Sequence, residues 1–532
     1  MINDMKAKLL KPVPLYPFLF ILFVILFALV NNQDQISPNQ ILRPLLVLFL
    51  VEAALVLLFR VINKDWQLAS YLSFLTIFIF FLYGPITVFV TDKLPGQLAG
   101  AFPFIALGIL AVLAILLGRR GILKRLGGFT RVTPFLKLVF AILVLAQVVD
   151  GVPEITKLIR DLSRQQSGLR IPREARTGVA LDCTVSPDIY WIVLDGYGRA
   201  DMLKAIYGVD TSSTLESLKE MGFIIAEQSH ANYIQTVYSV PSTLYFNYLG
   251  PKPSKVSGYD YFPALIANNP LMTLLRQCGY KMVTFASGFY FTNYPGSDLY
   301  LSDGEHFNDL EELLFASTPL ILLAETLDFT LPEWTYASHR SRVLYTFDQL
   351  GQLPELEGPK FVFAHILSPH PPFVFDAQGN EVEPRRSYSI NDGDDYVGTW
   401  KEYRKGYASQ IRYTSQLLEQ TVSEILEGSE AQPVIIVQSD HGPGGHLVWE
   451  SPDETCLWER TSILNAYYLP DGGSQALYPE ISPVNSFRVV LNHYFGLDLD
   501  LLADQTYFTS HLTGSRFTNV TEERDSRKNC GG

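Results

Sequence analysis

Five apolar runs crowd the first 150 residues, and they constrain the chain more than any other feature. They are VPLYPFLFILFVILFALV (13–30), ILRPLLVLFLVEAALVLLF (41–59), LASYLSFLTIFIFFLYGPITVFV (68–90), LAGAFPFIALGILAVLAILLG (98–118) and VTPFLKLVFAILVLAQVV (132–149). Each is long enough to cross a bilayer core of roughly 30 Å as a helix. One such run could be a buried helix or a signal peptide; five in series are expected to be transmembrane helices. The first is also long for a signal segment, and no small-residue cleavage site follows it.

The positive charges set an orientation. Lys6, Lys8 and Lys11 precede the first run, Arg60 and Lys64 follow the second, and Arg119, Arg120, Lys124, Arg125 and Arg131 separate the fourth from the fifth. The other two connections carry only Lys93. The expected topology has a cytoplasmic N-terminus, a multi-pass segment in the plasma (inner) membrane, and everything after residue 150 outside the cytoplasm.

Charge divides the chain at the same place. Residues 1–150 hold 13 Lys/Arg against 6 Asp/Glu, and the remainder 28 against 48. An acidic soluble part lacks the basic surface that phosphate neutralisation requires, which excludes nucleic acid as the expected partner. Any anionic substrate must be held by a local site. The four cysteines, Cys183, Cys278, Cys456 and Cys530, show no zinc-knuckle spacing; an extracytoplasmic placement allows a disulfide, whose pairing the sequence leaves open.

The expected divisions are a transmembrane domain with five helices (1–150), a connector (151–186), a catalytic domain (187–510) and a polar, unstructured tail (511–532). The connector DLSRQQSGLRIPREARTG has no strong apolar period. The catalytic domain opens with DIYWIVLDGYGRADML, which reads as strand, loop and helix. YKMVTFASG, KFVFAHILSPHPPF and PVIIVQSDHGPGG repeat the strand pattern, with helices such as 407–428 between them. This alternation predicts an α/β fold with a mainly parallel sheet between helices, with ligands beyond the carboxyl ends of the strands.

Three strand ends carry candidate ligands: Asp195; Asp440 with His441; and His365 with His370. Carboxylates and imidazoles suit a divalent ion, which activates a hydroxyl and screens phosphoryl or sulfuryl oxygens. The hydroxyl would come from HANYIQTVYSVPSTL (230–244). Taken singly, Asp-Gly is a turn, Ser and Thr before a helix are caps, and His365 is a core histidine. Their joint occurrence at strand ends is what points to a site.

The ordered set LDGYGRAD, QTVYSVPS, LSPHPPF and SDHGP resembles the alkaline phosphatase superfamily. It is most similar to the membrane-bound sulfatase-like branch that holds lipoteichoic acid synthases and lipid A phosphoethanolamine transferases. The resemblance implies five transmembrane helices joined to an extracytoplasmic sulfatase-like domain. It implies Asp195, Thr236, Asp440 and His441 as ligands of one divalent metal ion (Zn2+, Mn2+ or Mg2+), Thr236 as the nucleophile, and His370, with His365, on the substrate side. The implied function is a metal-dependent phosphotransferase or phosphodiesterase that passes through a phospho-threonine. Its donor would be a membrane lipid or lipid-linked molecule, and its acceptor an envelope glycan or lipid; no protein partner is expected. Asp195 stands where those transferases usually have Glu, and Ser242 follows Pro241 where phosphoethanolamine transferases often have Cys. Their further downstream histidine has only His446 as a counterpart, in a glycine-rich loop. Two rival readings remain: a sulfatase-like ester hydrolase using Ser239, in the pattern Ser-x-Pro-Ser with Thr243 in place of Arg, and a non-catalytic sulfatase-fold binding protein. Arg199 and Asp201 are assigned no joint role, and Lys401, Arg404 and Lys405 are read as a solvated helix face.

Overall fold

The computed structural model describes residues 14–31, 41–91, 128–168, 181–253, 258–304, 309–316, 318–320, 336–382, 396, 398–510 and 517–531. The chain divides into two compact units, one of residues 1–169 with 306–331, the other of residues 170–305 with 332–532.

In the first unit, α1 (Tyr16–Asn31), α2 (Leu42–Asn63), α3 (Trp66–Thr91) and α4 (Phe129–Gly168) follow four of the five apolar runs. Three of them are long and apolar enough to cross a membrane; α1 is shorter. The run at 98–118 lies outside the described residues. Phe20, Phe74 and Phe140 join α1, α3 and α4 through ring centroids 5.2–5.5 Å apart. Leu46, Leu50, Leu57, Leu58 and Val61 of α2 point outward, as lipid-facing residues do. Among the described residues of this unit one acid is buried: Glu52 of α2 accepts a hydrogen bond from Ser73 of α3.

Two expectations are corrected here. Helix α4 runs on to Gly168, so the first part of 151–186 is helix, not irregular connector. A later segment also belongs to this unit: the helix Asp309–Ala316 buries Leu310 and Leu314 against the same aromatic cluster, and Glu311 pairs with Arg43. Two leucines a turn apart on an acidic helix give a stripe too short to be read from sequence as a docking face.

The second unit is built on a seven-stranded sheet in the order β2-β7-β6-β1-β5-β3-β4. Its strands are β1 (Ile189–Leu194), β2 (Ile224–Ile225), β3 (Lys281–Phe285), β4 (Leu299–Leu301), β5 (Lys360–Ile366), β6 (Val434–Gln438) and β7 (Asn465–Tyr468). Neighbours from β6 to β4 are parallel; β7 alone runs the other way, pairing antiparallel with β6 and β2. The sheet is therefore mainly parallel, as its unbroken apolar strands require. Alternate residues of β1 enter two different cores. Tyr190, Ile192 and Leu194 pack with α6 (Tyr336–Gln352) and α7 (Trp400–Gly428). Ile189, Trp191 and Val193 pack with α5 (Thr236–Leu244) and α8 (Pro483–Phe495). Helix α7 opens with a reciprocal Thr399–Glu402 capping box, and its Lys401, Arg404 and Lys405 are solvent-exposed, as read from the sequence.

The tail is also corrected. Residues 517–531 are ordered: β8 (Tyr507–Thr509) pairs with β9 (Phe517–Asn519), Arg527 lies 4.2 Å over the Trp458 ring, and Cys530 is bonded to Cys456. A second disulfide joins Cys183 to Cys278, which settles the pairing that the sequence leaves open. The tail's partners are remote in sequence, and polar composition alone does not reveal them. Replacing Cys456 by Ser opens the bridge of 74-residue separation and is expected to cost about 2–4 kcal/mol, read as a lower melting temperature of the full chain in detergent under non-reducing conditions.

Candidate metal and nucleophile site

The central strands β6, β1 and β5 end side by side, and each delivers one part of the site. Asp195 follows β1 directly. Its N–H donates to the Ile366 carbonyl at 2.9 Å, and its own carbonyl accepts the His370 N–H at 3.0 Å. Gly196 then turns the chain at φ +73°, a conformation that costs glycine least. The Tyr197 N–H donates to Ser439 Oγ at 2.8 Å, and that hydroxyl donates to the His441 carbonyl at 2.6 Å. Backbone bonds thus tie the Asp195 turn to the loop after β5, and the Ser439 hydroxyl ties it to the loop after β6.

Asp195, Asp440 and His441 converge, with ligand atoms all within 4.8 Å of one another. His441 Nε2 lies 3.3 Å from Asp440 Oδ2 and 3.7 Å from Asp195 Oδ1. Thr236, the first residue of α5, brings Oγ1 to 3.1 Å from the same nitrogen. His441 Nδ1 is 3.0 Å from the Gly442 carbonyl, so it is the protonated nitrogen and Nε2 keeps its lone pair. Burial, helped by the positive charge of Arg460, lowers His441 to about 4 and keeps the ring neutral. Burial pushes the Asp195 carboxyl up, but His370, with His365 close by, outweighs it and holds the group below the usual carboxylate range.

Asp195 Oδ1 and Asp440 Oδ2 are buried without a hydrogen-bond partner. Two desolvated carboxylate oxygens facing one imidazole lone pair and one hydroxyl are costly as they stand and match the donor set of a divalent cation. The residues therefore fit the metal that the sequence pattern implies. Among the described residues this is the one group of such ligands.

The other sequence candidates fall as follows. His365 is buried and reaches Asp195 Oδ2 at 3.3 Å through Nε2, while Nδ1 meets Thr292 Oγ1 at 2.8 Å. It borders the cluster and is more than a core histidine. His370 is partly exposed, with its ring centroid 6.4 Å from that of His441, and its Nδ1 bonds the Pro371 carbonyl. His446 is ordered, its Nδ1 3.0 Å from Glu459 Oε2 and its ring 4.1 Å from that of Trp400. Ser239 lies one turn deeper in α5; its hydroxyl donates to the Asp440 carbonyl at 2.6 Å, and it is 1% exposed. Arg199 and Asp201, assigned no joint role from their spacing, form a two-pronged pair at 2.8 and 3.1 Å. Arg199 caps the helix in an extended conformation, so the helical rule against i, i+2 contact does not apply to it. His230 joins this pair to the tail through Asp525 at 3.1 Å.

Sequence reading missed Arg460. Buried on the short helix Leu457–Thr461, it donates to the Ile234 carbonyl at 2.9 and 2.7 Å and to the Gly442 carbonyl at 3.0 Å. One guanidinium thus ties the approach to Thr236 to the exit from His441. Gly442 must be glycine, because a Cβ there would sit 2.0 Å from the Glu459 carbonyl oxygen. Arg in the run CLWERTS carries no motif; its role exists only in the folded chain.

Two outcomes are expected. Arg460→Met leaves the buried Ile234 carbonyl without its donor and the Gly442 carbonyl with His441 Nδ1 alone; it should cost about 2–4 kcal/mol, with a loss of bound metal measurable by elemental analysis of the purified chain. His339 of α6 is buried, and that burial, with Arg342 and His370 near it, lowers it to about 3. A histidine depressed in the folded state binds its proton on unfolding, so stability should fall as pH drops from about 6.5 toward 3. His339→Gln should flatten that fall by one proton in a denaturation series across pH.

Comparison with known proteins places this geometry in a family. The Sulfatase family model matches residues 187–482, more than half of the chain. No curated protein sequence matches. Among solved structures, the chain is similar to the integral membrane lipooligosaccharide phosphoethanolamine transferase A of Neisseria meningitidis, at 13% identity and a TM-score of 0.39, covering 90% of this chain and 94% of that one. It is similar to the zinc complex of the C-terminal periplasmic domain of EptC from Escherichia coli, at 12% identity and a TM-score of 0.37, covering 60% of this chain and 85% of that one. A protein of the alkaline phosphatase superfamily from Vibrio parahaemolyticus matches at 12% identity and a TM-score of 0.38, covering 66% of this chain and 82% of that one. The matched family segment contains Asp195, Thr236, His365, His370, Asp440 and His441, and the chain belongs to the sulfatase family.

Proposed function

We propose that the protein is a membrane-anchored, metal-dependent phosphotransferase or phosphodiesterase, acting outside the cytoplasm on a lipid headgroup or envelope glycan through a phospho-threonine at Thr236. The observation that carries this reading is the position of the Thr236 hydroxyl. It meets the His441 lone pair at 3.1 Å, beside two carboxylates with unpartnered oxygens. The competing hydroxyl of Ser239 is already committed to the Asp440 carbonyl.

Asp195, Asp440, His441 and Thr236 would hold one divalent ion, Zn2+, Mn2+ or Mg2+. When bound, that ion lowers the pKa of the hydroxyl and offsets charge on the phosphoryl oxygens. The chain's own residues supply the rest. Thr236 begins α5, so the unpaired amides of the first helical turn favour a negative group beside its hydroxyl. Thr236 Oγ1 attacks the phosphorus of a diester, losing its proton as the new P–O bond forms. The P–O bond to the departing alcohol breaks, and the departing oxygen takes up a proton. His370, at the open side of the cluster, is the group placed to give that proton and to orient the substrate. An acceptor hydroxyl or water then attacks the phospho-threonine, and Thr236 regains its proton. The donor on this reading is a membrane lipid or lipid-linked molecule, and the acceptor an envelope glycan or lipid. The apolar helices would anchor the chain in the membrane that carries such a donor, and the positive charges of the short loops support an extracytoplasmic placement.

The test is mass spectrometry of the intact protein and its peptides after incubation with a divalent metal and a membrane lipid extract. Wild type is expected to carry a phosphoryl-containing adduct on the peptide of Thr236, lost in Thr236→Ala and retained in Ser239→Ala. A formylglycine mass at Ser239 with no adduct on Thr236 would sink the reading and assign the protein to ester hydrolysis.

A further inference from the structure

Helix α6 carries a buried guanidinium without an acceptor. Arg342 is 7% exposed, and no carboxylate, carbonyl or hydroxyl among the described residues accepts a hydrogen bond from its side chain. Its Nε is fully buried and unpartnered. Neighbouring Arg340, by contrast, is engaged: its Nε donates to the Val374 carbonyl at 3.2 Å, and Nη1 lies 3.4 Å from Glu381. A charge that is always present and buried without a counter-ion is expensive, so it marks a place for an anion.

The guanidinium rests on Gly288, just beyond the carboxyl end of β3. A Cβ at Gly288 would lie 2.0 Å from Arg342 Nη1 and 2.8 Å from Cζ, so only glycine leaves the side chain this seat. The segment it rests on leads to the metal cluster. Ser287 Oγ meets Thr292 Oγ1 at 3.0 Å, Thr292 Oγ1 meets His365 Nδ1 at 2.8 Å, and His365 Nε2 meets Asp195 Oδ2 at 3.3 Å. One turn before Arg342 on α6, His339 is bonded to the Leu367 backbone on the loop that leads to His370. The remaining polar neighbour is the Tyr300 phenol of β4, which burial raises and Arg342 moderates.

We propose that Arg342 binds a second anionic group of the substrate, a phosphate, separate from the ester attacked at Thr236. The substrate class is thus a phosphodiester that carries a further phosphate-type charge on one of its two arms, and Arg342 selects for it by charge-assisted hydrogen bonds. This deepens the phosphotransfer reading and rests on it for the identity of the substrate; the anion site itself does not need Thr236 to react.

The test is calorimetric titration of inorganic phosphate into the metal-loaded full chain in detergent at fixed ionic strength. Arg342→Gln is expected to weaken binding at least tenfold, and Arg342→Lys no more than threefold. Thr236→Ala should leave it within twofold. Metal content and melting temperature report whether Arg342→Gln keeps its fold. Gly288→Ala, which leaves the charge but removes its seat, should weaken binding as well. Displacement of phosphate by micelles of an anionic phospholipid, but not by those of phosphatidylcholine, assigns the charge to a lipid headgroup; displacement by glycerol 3-phosphate alone assigns it to a soluble arm. No measurable phosphate binding in wild type, or equal affinity in wild type, Arg342→Gln and Gly288→Ala, overturns the proposal. A missing adduct on Thr236 alongside Arg342-dependent phosphate binding counts against phosphotransfer and leaves this site standing.

Discussion

Two carboxylates taken out of water at the ends of adjacent parallel strands are the constraint on which the rest of this structure depends. The chain handles buried acid differently at the two ends of its sheet. At the start of β1, Asp188 receives the ammonium of buried Lys360, and the pair is closed. At the far end, Asp195 and Asp440 face histidines and a threonine, with no lysine or arginine paired to either among the described residues. The first arrangement is complete within the protein, and the second leaves carboxylate oxygens unpartnered and offers the donor set of a divalent cation. The bonds among the strand-end loops hold the two acids within reach of one another despite their mutual repulsion.

Thr236 and Ser239 show how position along a helix sorts chemically similar groups. They are three residues apart and so lie on one face of α5. Thr236 sits at the first turn, with its hydroxyl on His441. Ser239 is a turn further in, pressed against the Asp440 backbone, where its hydroxyl holds the Asp440 loop in place. A short motif with several hydroxyls therefore contains one that faces the ligand cluster and one spent on the backbone, and position along the helix decides which is which.

Much of this arrangement was legible in the sequence. Continuous apolar runs ending in Asp195-Gly196, in His365 with His370, and in Asp440-His441 announce buried parallel strands that deliver polar groups at one edge of a sheet, and the structure brings all of these together. What was not legible consists of residues whose meaning depends on remote partners. Arg460 lies in an unremarkable helix yet bonds carbonyls from two distant loops. The polar composition of 517–531 conceals Cys530, Asp525 and Arg527, each of which finds its partner on another element. Helical spacing keeps Arg199 and Asp201 apart, but Arg199 is the extended residue before the helix and so reaches Asp201. The helix Asp309–Ala316 reads as a soluble segment but packs on the apolar unit. Local pattern reports which face of an element is buried; it carries no record of what that face is buried against.

The strand order has a consequence for how the protein is made. Gly196 and Asp440, bonded across the site, are 244 residues apart in the chain, and Thr236 and His441 are 205 apart. β1 occupies the middle of the sheet but waits for both neighbours, β5 and β6, to be synthesised before either edge is covered. Contacts of such long sequence separation form slowly, because loop closure precedes any gain from pairing. A growing chain leaves both edges of β1 unpaired until β5 and then β6 have been made, and the cluster of Asp195, Asp440 and His441 is among the last features to appear. Incomplete chains therefore lack the full set of polar groups at the strand ends, which meet only once Asp440 and His441 have joined Asp195 and Thr236.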